Sequence, residues 1–231
     1  KSFIKYYDPE IFVAAGRRIR TTVLSADELS PTERVKKIAQ LFACFKNPDK
    51  ETVLTPWRVV NMHMSDCLGG YDFYDEAHEQ MRNEPRFVDR GKVTADTFAN
   101  TNARVLEINS KTGLYPLYVT YSIFRSRCAA FFEEELDDAK LQQFWDAAVQ
   151  ENVFVICKTP MAKQITRRTL VGYRDISVNA HYFDDLINMM KNKPQQFVAR
   201  VLKPSYWKQE GAKPMKFDAV VGNPPYQMMD G

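Results

Sequence analysis

The 231-residue chain lacks most of what marks a secreted, membrane-bound or metal-dependent protein. Its four cysteines, Cys44, Cys67, Cys128 and Cys157, are scattered, with no Cys-x-x-Cys pair and no His/Cys metal spacing. That excludes a disulfide framework or a zinc site as a reading of the sequence, and predicts reduced thiols in a cytosol and no bound metal. No apolar run approaches the roughly 20 residues that span a bilayer, and no secretory signal is present. Internal repeats and low-complexity tracts are absent. A strong charge excess is missing too: the net charge of +3 permits contact with nucleic acid without requiring it. What is present is a 45% hydrophobic content, enough for one domain with a large core, alone or with a helical appendage.

The densest information lies near the C-terminus, in Lys216-Phe217-Asp218-Ala219-Val220-Val221-Gly222-Asn223-Pro224-Pro225-Tyr226. The apolar run Phe217 to Val221 predicts a short buried parallel strand. Each following proline fixes its own φ and pushes the residue before it into extended space. The tetrapeptide Asn223-Pro224-Pro225-Tyr226 is therefore a stiff projection at a strand's carboxyl end, where open α/β sheets bind ligands. It offers an amide, carbonyls that no ladder consumes, and an aromatic ring. Such a set suits a planar amino group. The exocyclic amine of adenine is a poor nucleophile because its lone pair is delocalised into the ring. Two acceptors, the Asn223 side-chain oxygen and the Pro224 carbonyl, would hold its hydrogens and localise that pair, while Tyr226 stacks on the base for roughly 1–3 kcal/mol. An electrophilic methyl group in line would then transfer by positioning and electrostatics alone. The same tetrapeptide also fits a proline-rich turn or a polyproline-type ligand.

Upstream, residues 1–50 read as helical, with a start at Ser30-Pro31-Thr32-Glu33 and a stop at Asn47-Pro48. Arg17, Arg18 and Arg20 read as a solvated face or a phosphate-contacting stripe. Thr55 is expected to cap a helix with Pro56 at its first position and Gly69-Gly70 at its end, and that helix's first amides would form an anion site. Met62 and Met64 read as core and His63 as a surface or satisfied histidine. Residues 71–101 are polar and aromatic and predict a helix plus a loop. A strand, Ala103 to Ile108, then leads through Asn109-Ser110-Lys111-Thr112-Gly113 into a helix from Pro116 to about Phe132. An acidic residue, small polar residues and a glycine at a strand-to-helix turn admit a cofactor against backbone. Glu133 to Asp138 read as a solvated acidic run. A helix from Ala139 to Gln150, a strand Val153 to Cys157, a helix from Pro160 to about Leu170 and a strand Ile176 to Ala180 follow. Asp184-Asp185 lies just beyond. Gln196 to Leu202 alternates as an extra strand would, and Lys203 to Lys216, with Tyr206 and Trp207, reads as a surface loop or a nucleic-acid edge. The alternation of strands and helices argues a Rossmann-like parallel sheet in an α/β fold. The organisation expected is an N-terminal helical segment over 1–50 and a catalytic unit over 51–231.

Three stretches, TPWRVV, VLEINSKTG and FDAVVGNPPY, in that order resemble the adenine-N6 DNA methyltransferases of the gamma type, the methylase modules of fused restriction–modification enzymes. Their signature is (Asp/Asn/Ser)-Pro-Pro-(Tyr/Phe/Trp) after an apolar strand. The resemblance spans about residues 51–229. It implies an S-adenosylmethionine-dependent methyltransferase sheet and methyl transfer to N6 of a flipped adenine in double-stranded DNA, in a bacterial cytoplasm. It implies that Asn223, Pro224, Pro225 and Tyr226 are catalytic and hold the base. Glu107, Asn109, Ser110 and Gly113 would line the cofactor, Thr55 and Pro56 would hold its methionine end, and Asp184 would read its adenine. Two departures stand out: Lys111 replaces the first glycine of the family's Asp-Pro-x-x-Gly-x-Gly loop, and Cys157-Lys158-Thr159 offers no carboxylate where the family places its ribose contact. Because the chain starts at Lys1 and stops five residues after Tyr226, a fragment is expected, C-terminally truncated and inactive alone. Its fused nuclease or helicase and its target-recognition domain would lie outside these residues. The alternatives are a methyltransferase on RNA adenine or protein glutamine, which share the amino-group chemistry, and a non-catalytic scaffold that has kept the fold.

Overall fold

The computed structural model describes residues 8–46, 53–211 and 213–223. Its centre is a four-stranded parallel sheet of β3 (Val105–Ser110), β4 (Val153–Cys157), β5 (Asn179–Tyr182) and β6 (Ala219–Val221), in the order β5-β4-β3-β6. A separate antiparallel pair joins β1 (Gly70–Tyr74) to β2 (Met81–Val88). The chain moves outward from β3 to β4 to β5, then returns to place β6 on the other side of β3. Strand order therefore reverses between β3 and β6, and such a switch point leaves a crevice at the carboxyl ends of the strands.

Each face of the sheet has its own core, because residues alternate along a strand. Val105, Val155 and Cys157 belong to the larger core with α1 (Pro9–Asp27), α2 (Pro31–Ala43), α3 (Trp57–Cys67), α5 (Leu114–Cys128) and α7 (Pro160–Val171). Leu106, Phe154 and Ile156 face the smaller one, closed by α8 (Leu186–Asn192), α9 (Pro194–Val201) and Trp207. α5 is buried nearly all round, from Leu114 to Phe124, as a helix between a sheet and other helices must be. α1 and α2 are pinned by a buried cation. Arg34 donates to Asp27 at 3.1 Å and to the Thr169 carbonyl at 3.0 Å, while Asp27 also accepts from the Tyr173 amide. The remaining helices are α4 (Lys92–Thr97), after the hairpin, and α6 (Asp138–Ala147), which runs through a π-turn, Ala148–Asn152, into β4.

Several expectations are corrected. Residues 71–101 hold the β1–β2 hairpin and α4 rather than a helix plus a loop. The polarity pattern misleads there because a charge points inward: Asp72 is fully buried, opposite Arg86 in the register, and bonds both Arg86 and His78 at 2.8 and 2.9 Å. Gln196 to Leu202 is helical, since Phe197 and Val201, four residues apart, are the buried pair while Val198 is exposed. The third strand lies at Asn179–Tyr182, not Ile176 to Ala180. β6 is shorter than predicted and is not buried: Val220 is 60% exposed. Trp207 is core, its indole N–H on the Val201 carbonyl, so it cannot serve a nucleic-acid edge. Helix α3 starts at Trp57 with Pro56 as its cap residue, one position later than predicted, and no side chain caps it, which releases Thr55 for another partner. The helix of 31–43 ends before Asn47-Pro48, which fall outside the described residues. Among the described residues no helix is long and apolar enough to cross a membrane, and no group of three or more His, Cys, Asp or Glu side chains is placed to hold a metal.

Candidate functional site

Asn223 follows β6 through Gly222 and is half-buried. Its side-chain Nδ2 donates to Thr55 Oγ1 at 2.9 Å, and its main-chain carbonyl accepts from Asn109 Nδ2 at 3.1 Å. Three segments that are remote in sequence thus meet at one residue beside the switch point: the stretch before α3, the end of β3 and the end of β6. Asn109 reaches it through a local irregularity. It has φ of 69° and the β3–β4 register slips between Ile108 and Ser110. An extra unpaired residue of this kind re-aims its side chain, and asparagine tolerates the left-handed region better than most residues. Gly222, with φ of 156°, lies so close to β3 that a Cβ would stand 2.5 Å from the Ile108 carbonyl oxygen. Only glycine lets the last turn of β6 approach that way.

The loop after β3 packs closely on α7. Gly113 has φ of 78° and opens α5, and a Cβ on it would meet Thr166 Cα of α7 at 3.0 Å. Ser110 has no exposed surface, and its hydroxyl lies 3.1 Å from Thr166 Oγ1. Lys111 extends sideways, its Nζ 3.1 Å from the Val53 carbonyl, and so bridges the loop to the stretch before α3.

Glu107 shares the inner face with Val105. It is 5% exposed, and its Oε2 has no hydrogen-bond partner; neither has the buried Oδ1 of Asn109. Burial pushes the Glu107 carboxyl up to about 8, against the opposing pull of the Ser110 hydrogen bond and the Lys111 charge. An unpartnered carboxyl and an unpartnered amide oxygen two residues apart at a strand end leave polar groups for a ligand to meet, since each costs about 1–3 kcal/mol unpaired. Cys157, at the end of β4, is buried, and desolvation pushes its thiol up to about 12, so it is neither a nucleophile nor a charged contact.

On the opposite face a cavity of about 440 Å³ opens between the strand ends and α8, lined by Ile108, Asn109, Ile187, Met190, Lys191, Val221 and Gly222. Of the residues singled out in the sequence, Thr55, Asn109 and Asn223 come together, and Glu107, Ser110 and Gly113 lie on β3 and the loop after it, Ser110 and Gly113 against Thr166. Pro56 is exposed beside Thr55, its carbonyl accepting from the Val60 amide. Asp184 is exposed in the turn before α8 and lies outside the cavity lining. Pro224, Pro225 and Tyr226 lie outside the described residues. Sequence reasoning missed Ile187, Met190 and Lys191; the i, i+3 spacing of Ile187 and Met190 after Asp185 was the available signal.

Residues 151–231 match the model of the family described as Eco57I restriction-modification methylase. The matched part holds β4, α7, β5, α8, α9, β6 and the Asn-Pro-Pro-Tyr tail, and it supports a restriction-modification methylase. The mixed α/β fold with its parallel four-stranded sheet is compatible with a methyltransferase. Neither a curated protein nor a solved structure matches the chain.

Proposed function

We propose that this chain transfers a methyl group from S-adenosylmethionine to the N6 amino group of adenine in double-stranded DNA, as the gamma-type methylase module of a bacterial, cytoplasmic restriction–modification system. The observation that carries the reading is the placement of Asn223 at the tip of β6, beside the switch point and tied to both Thr55 and Asn109. With Nδ2 committed to Thr55, the acceptor end of that amide is left for an amino group. The base must leave the duplex to reach it, at a few kcal/mol of unstacking.

The residues present fit the cofactor. Glu107 Oε2 and Asn109 Oδ1 are buried without partners, which suits an ammonium group, whose charge would favour the ionised form of the Glu107 carboxyl. The apolar cavity at Ile108, Ile187, Met190 and Val221 is of the size and character that takes a purine nucleoside. When bound, S-adenosylmethionine supplies an activated methyl group. The chain's own contribution is to hold the amine with its lone pair aimed away from the ring and to fix Asn223 through Asn109 and Thr55. No carboxylate stands at the end of β4, so a ribose hydroxyl would be met by other groups.

The test is incorporation of labelled methyl groups by the native protein into unmethylated DNA, bulk tRNA and release factor. We expect N6-methyladenine in DNA, lost by at least a hundredfold in Asn223→Ala. Label in RNA or protein instead, or an unaffected Asn223→Ala, overturns the assignment.

A further inference from the structure

Charge is not spread evenly over this chain. Residues 186–216, which form α8, α9 and the stretch that returns to β6, hold seven lysines and arginines and a single acid, Glu210. The chain as a whole nets only +3, so the remainder is net acidic. Elsewhere the cations find carboxylates, as Arg34 does Asp27, Arg86 Asp72 and Arg174 Asp146. None of the seven makes an ion pair among the described residues. Two of them, with Lys163 of α7, also converge on one spot. The His181 ring on β5 stacks on Tyr206, 4.3 Å between centroids, and meets Trp207 edge-on at 5.1 Å. The Arg200 guanidinium lies over Phe183 and Tyr206, at 4.9 and 5.2 Å. Such stacking holds the plane of the fork and leaves its N–H groups for an acceptor. Burial pushes the His181 imidazole down to about 4, and Lys163, Lys208 and Arg200 push it the same way. The histidine is therefore neutral, and the charge around it belongs to those three. Like charges held together over fixed rings repel, and an anion relieves that repulsion.

The cluster stands at the functional end of the sheet. His181 and Phe183 flank Tyr182, the last residue of β5, and in a parallel sheet that is the end at which Asn109 and Asn223 meet. Lys191, in the last turn of α8, lines the cavity beside Asn109 and Gly222. β5 is three strand spacings from β6, roughly 14 Å, or about four nucleotide steps of a duplex. Resting on the function proposed above, we propose that Lys191, Arg200 and Lys208, with Lys163 beside them, form a phosphate-contacting face that carries the DNA backbone from the Asn223 crevice out to β5. An arginine fork suits two phosphate oxygens, and the lysines serve as point charges. The face touches backbone oxygens, so it sets register and affinity and not the sequence recognised. Trp207 supports it from beneath as a core residue and stacks on no base.

The experiment compares the native protein with three double variants. Arg200→Gln/Lys208→Gln removes the charge, Arg200→Lys/Lys208→Arg keeps it, and Arg17→Gln/Arg18→Gln neutralises two exposed cations of α1. The Kd of an unmethylated DNA duplex is measured by fluorescence anisotropy across a salt series, and kcat of methyl transfer at saturating DNA. For Arg200→Gln/Lys208→Gln we expect binding about tenfold weaker near 0.1 M salt, and a slope of log Kd against log salt lower by about 1–2. Its kcat should stay within about twofold of wild type. The charge-keeping variant should hold the wild-type slope, and the α1 variant both affinity and slope. Lys191→Gln, which lies outside the ring cluster, should lower the slope by about 1 and serves as the test if the double variant fails to fold. If wild type methylates DNA while charge removal at Arg200 and Lys208, or at Lys191, leaves affinity and slope unchanged, the inference falls and the function stands. The same holds if the loss follows the α1 pair instead. If wild type neither binds nor methylates DNA, both fall.

Discussion

Gly222 and Glu107 define what single residues contribute. A Cβ at Gly222 would collide with the Ile108 carbonyl, and its φ of 156° is strained for any other residue. Gly222→Ala must therefore push β6 off β3 and carry Asn223 away from Thr55. We expect methyl transfer to fall at least tenfold while thermal stability drops by only about 1–3 kcal/mol; an alanine variant with full kcat would show that Asn223 does not need this approach. At Glu107 the sign of the pH effect is fixed by burial. The carboxyl is raised from its ordinary value to about 8, so between about 4.5 and 8 the folded state holds a proton that the unfolded state has released. Its contribution to stability is complete below the ordinary carboxylate range and is lost as pH rises toward 8. Glu107→Gln imitates the protonated form and lacks that slope. Melting temperatures of the two proteins should be close at pH 5 and diverge in favour of glutamine at pH 8. A gap that is constant with pH would remove Glu107 as the titrating group.

Among the elements, the β1–β2 hairpin depends most on polar contacts. Asn61 of α3 is fully buried, accepts from the Phe73 amide at 2.9 Å and donates to the Trp57 carbonyl at 2.8 Å. It couples the helix that follows Thr55 to the hairpin's inner strand. Asn61→Ala leaves the buried Phe73 amide unpaired, while the Trp57 carbonyl keeps its main-chain helix bond, and should cost about 1–3 kcal/mol by chemical denaturation. On the proposed function, affinity for S-adenosylmethionine should weaken as well, because Thr55 and Pro56 lead directly into this helix. A loss under 0.5 kcal/mol would mean that the hairpin is held by its Asp72–His78–Arg86 network alone. The hairpin was illegible in the sequence for this reason: one inward position, Asp72, is charged, and alternation of polarity, the usual strand signal, is broken by its ion pair with Arg86. α9 was misread for a different reason. A short segment with apolar residues at close spacing satisfies both periods, and only the packing of Phe197 and Val201 into the second core selected the helix.

At the scale of the whole molecule, one cation fastens the N-terminal helices to the sheet layer. Arg34 is 6% exposed and bonds Asp27 and the carbonyl ends of α7. Arg34→Ala strands a buried Asp27 and should cost about 3–5 kcal/mol. Loss of α1 and α2 protection in hydrogen exchange before the sheet opens would locate the damage; uniform loss of protection would show that both layers unfold together. The same packing leaves Cys44 and Cys67 exposed and Cys128 and Cys157 buried, so the accessible thiols lie on the helical layer.

What the amino-acid order settled by itself was local. Proline marked the starts of α2 and α7, and continuous apolar runs gave β3 and β4 within two residues, because those constraints act between near neighbours. The tertiary structure decided which distant side chains meet. Nothing near Thr55, Asn109 or Asn223 in the sequence says that they form one hydrogen-bonded chain. That contact exists because β6 returns to the side of β3 away from β4 and because a slipped register turns Asn109 toward it. Whether a residue pattern becomes a site depends on strand order and on the few ångströms between strand ends, and these are set by packing of the whole sheet.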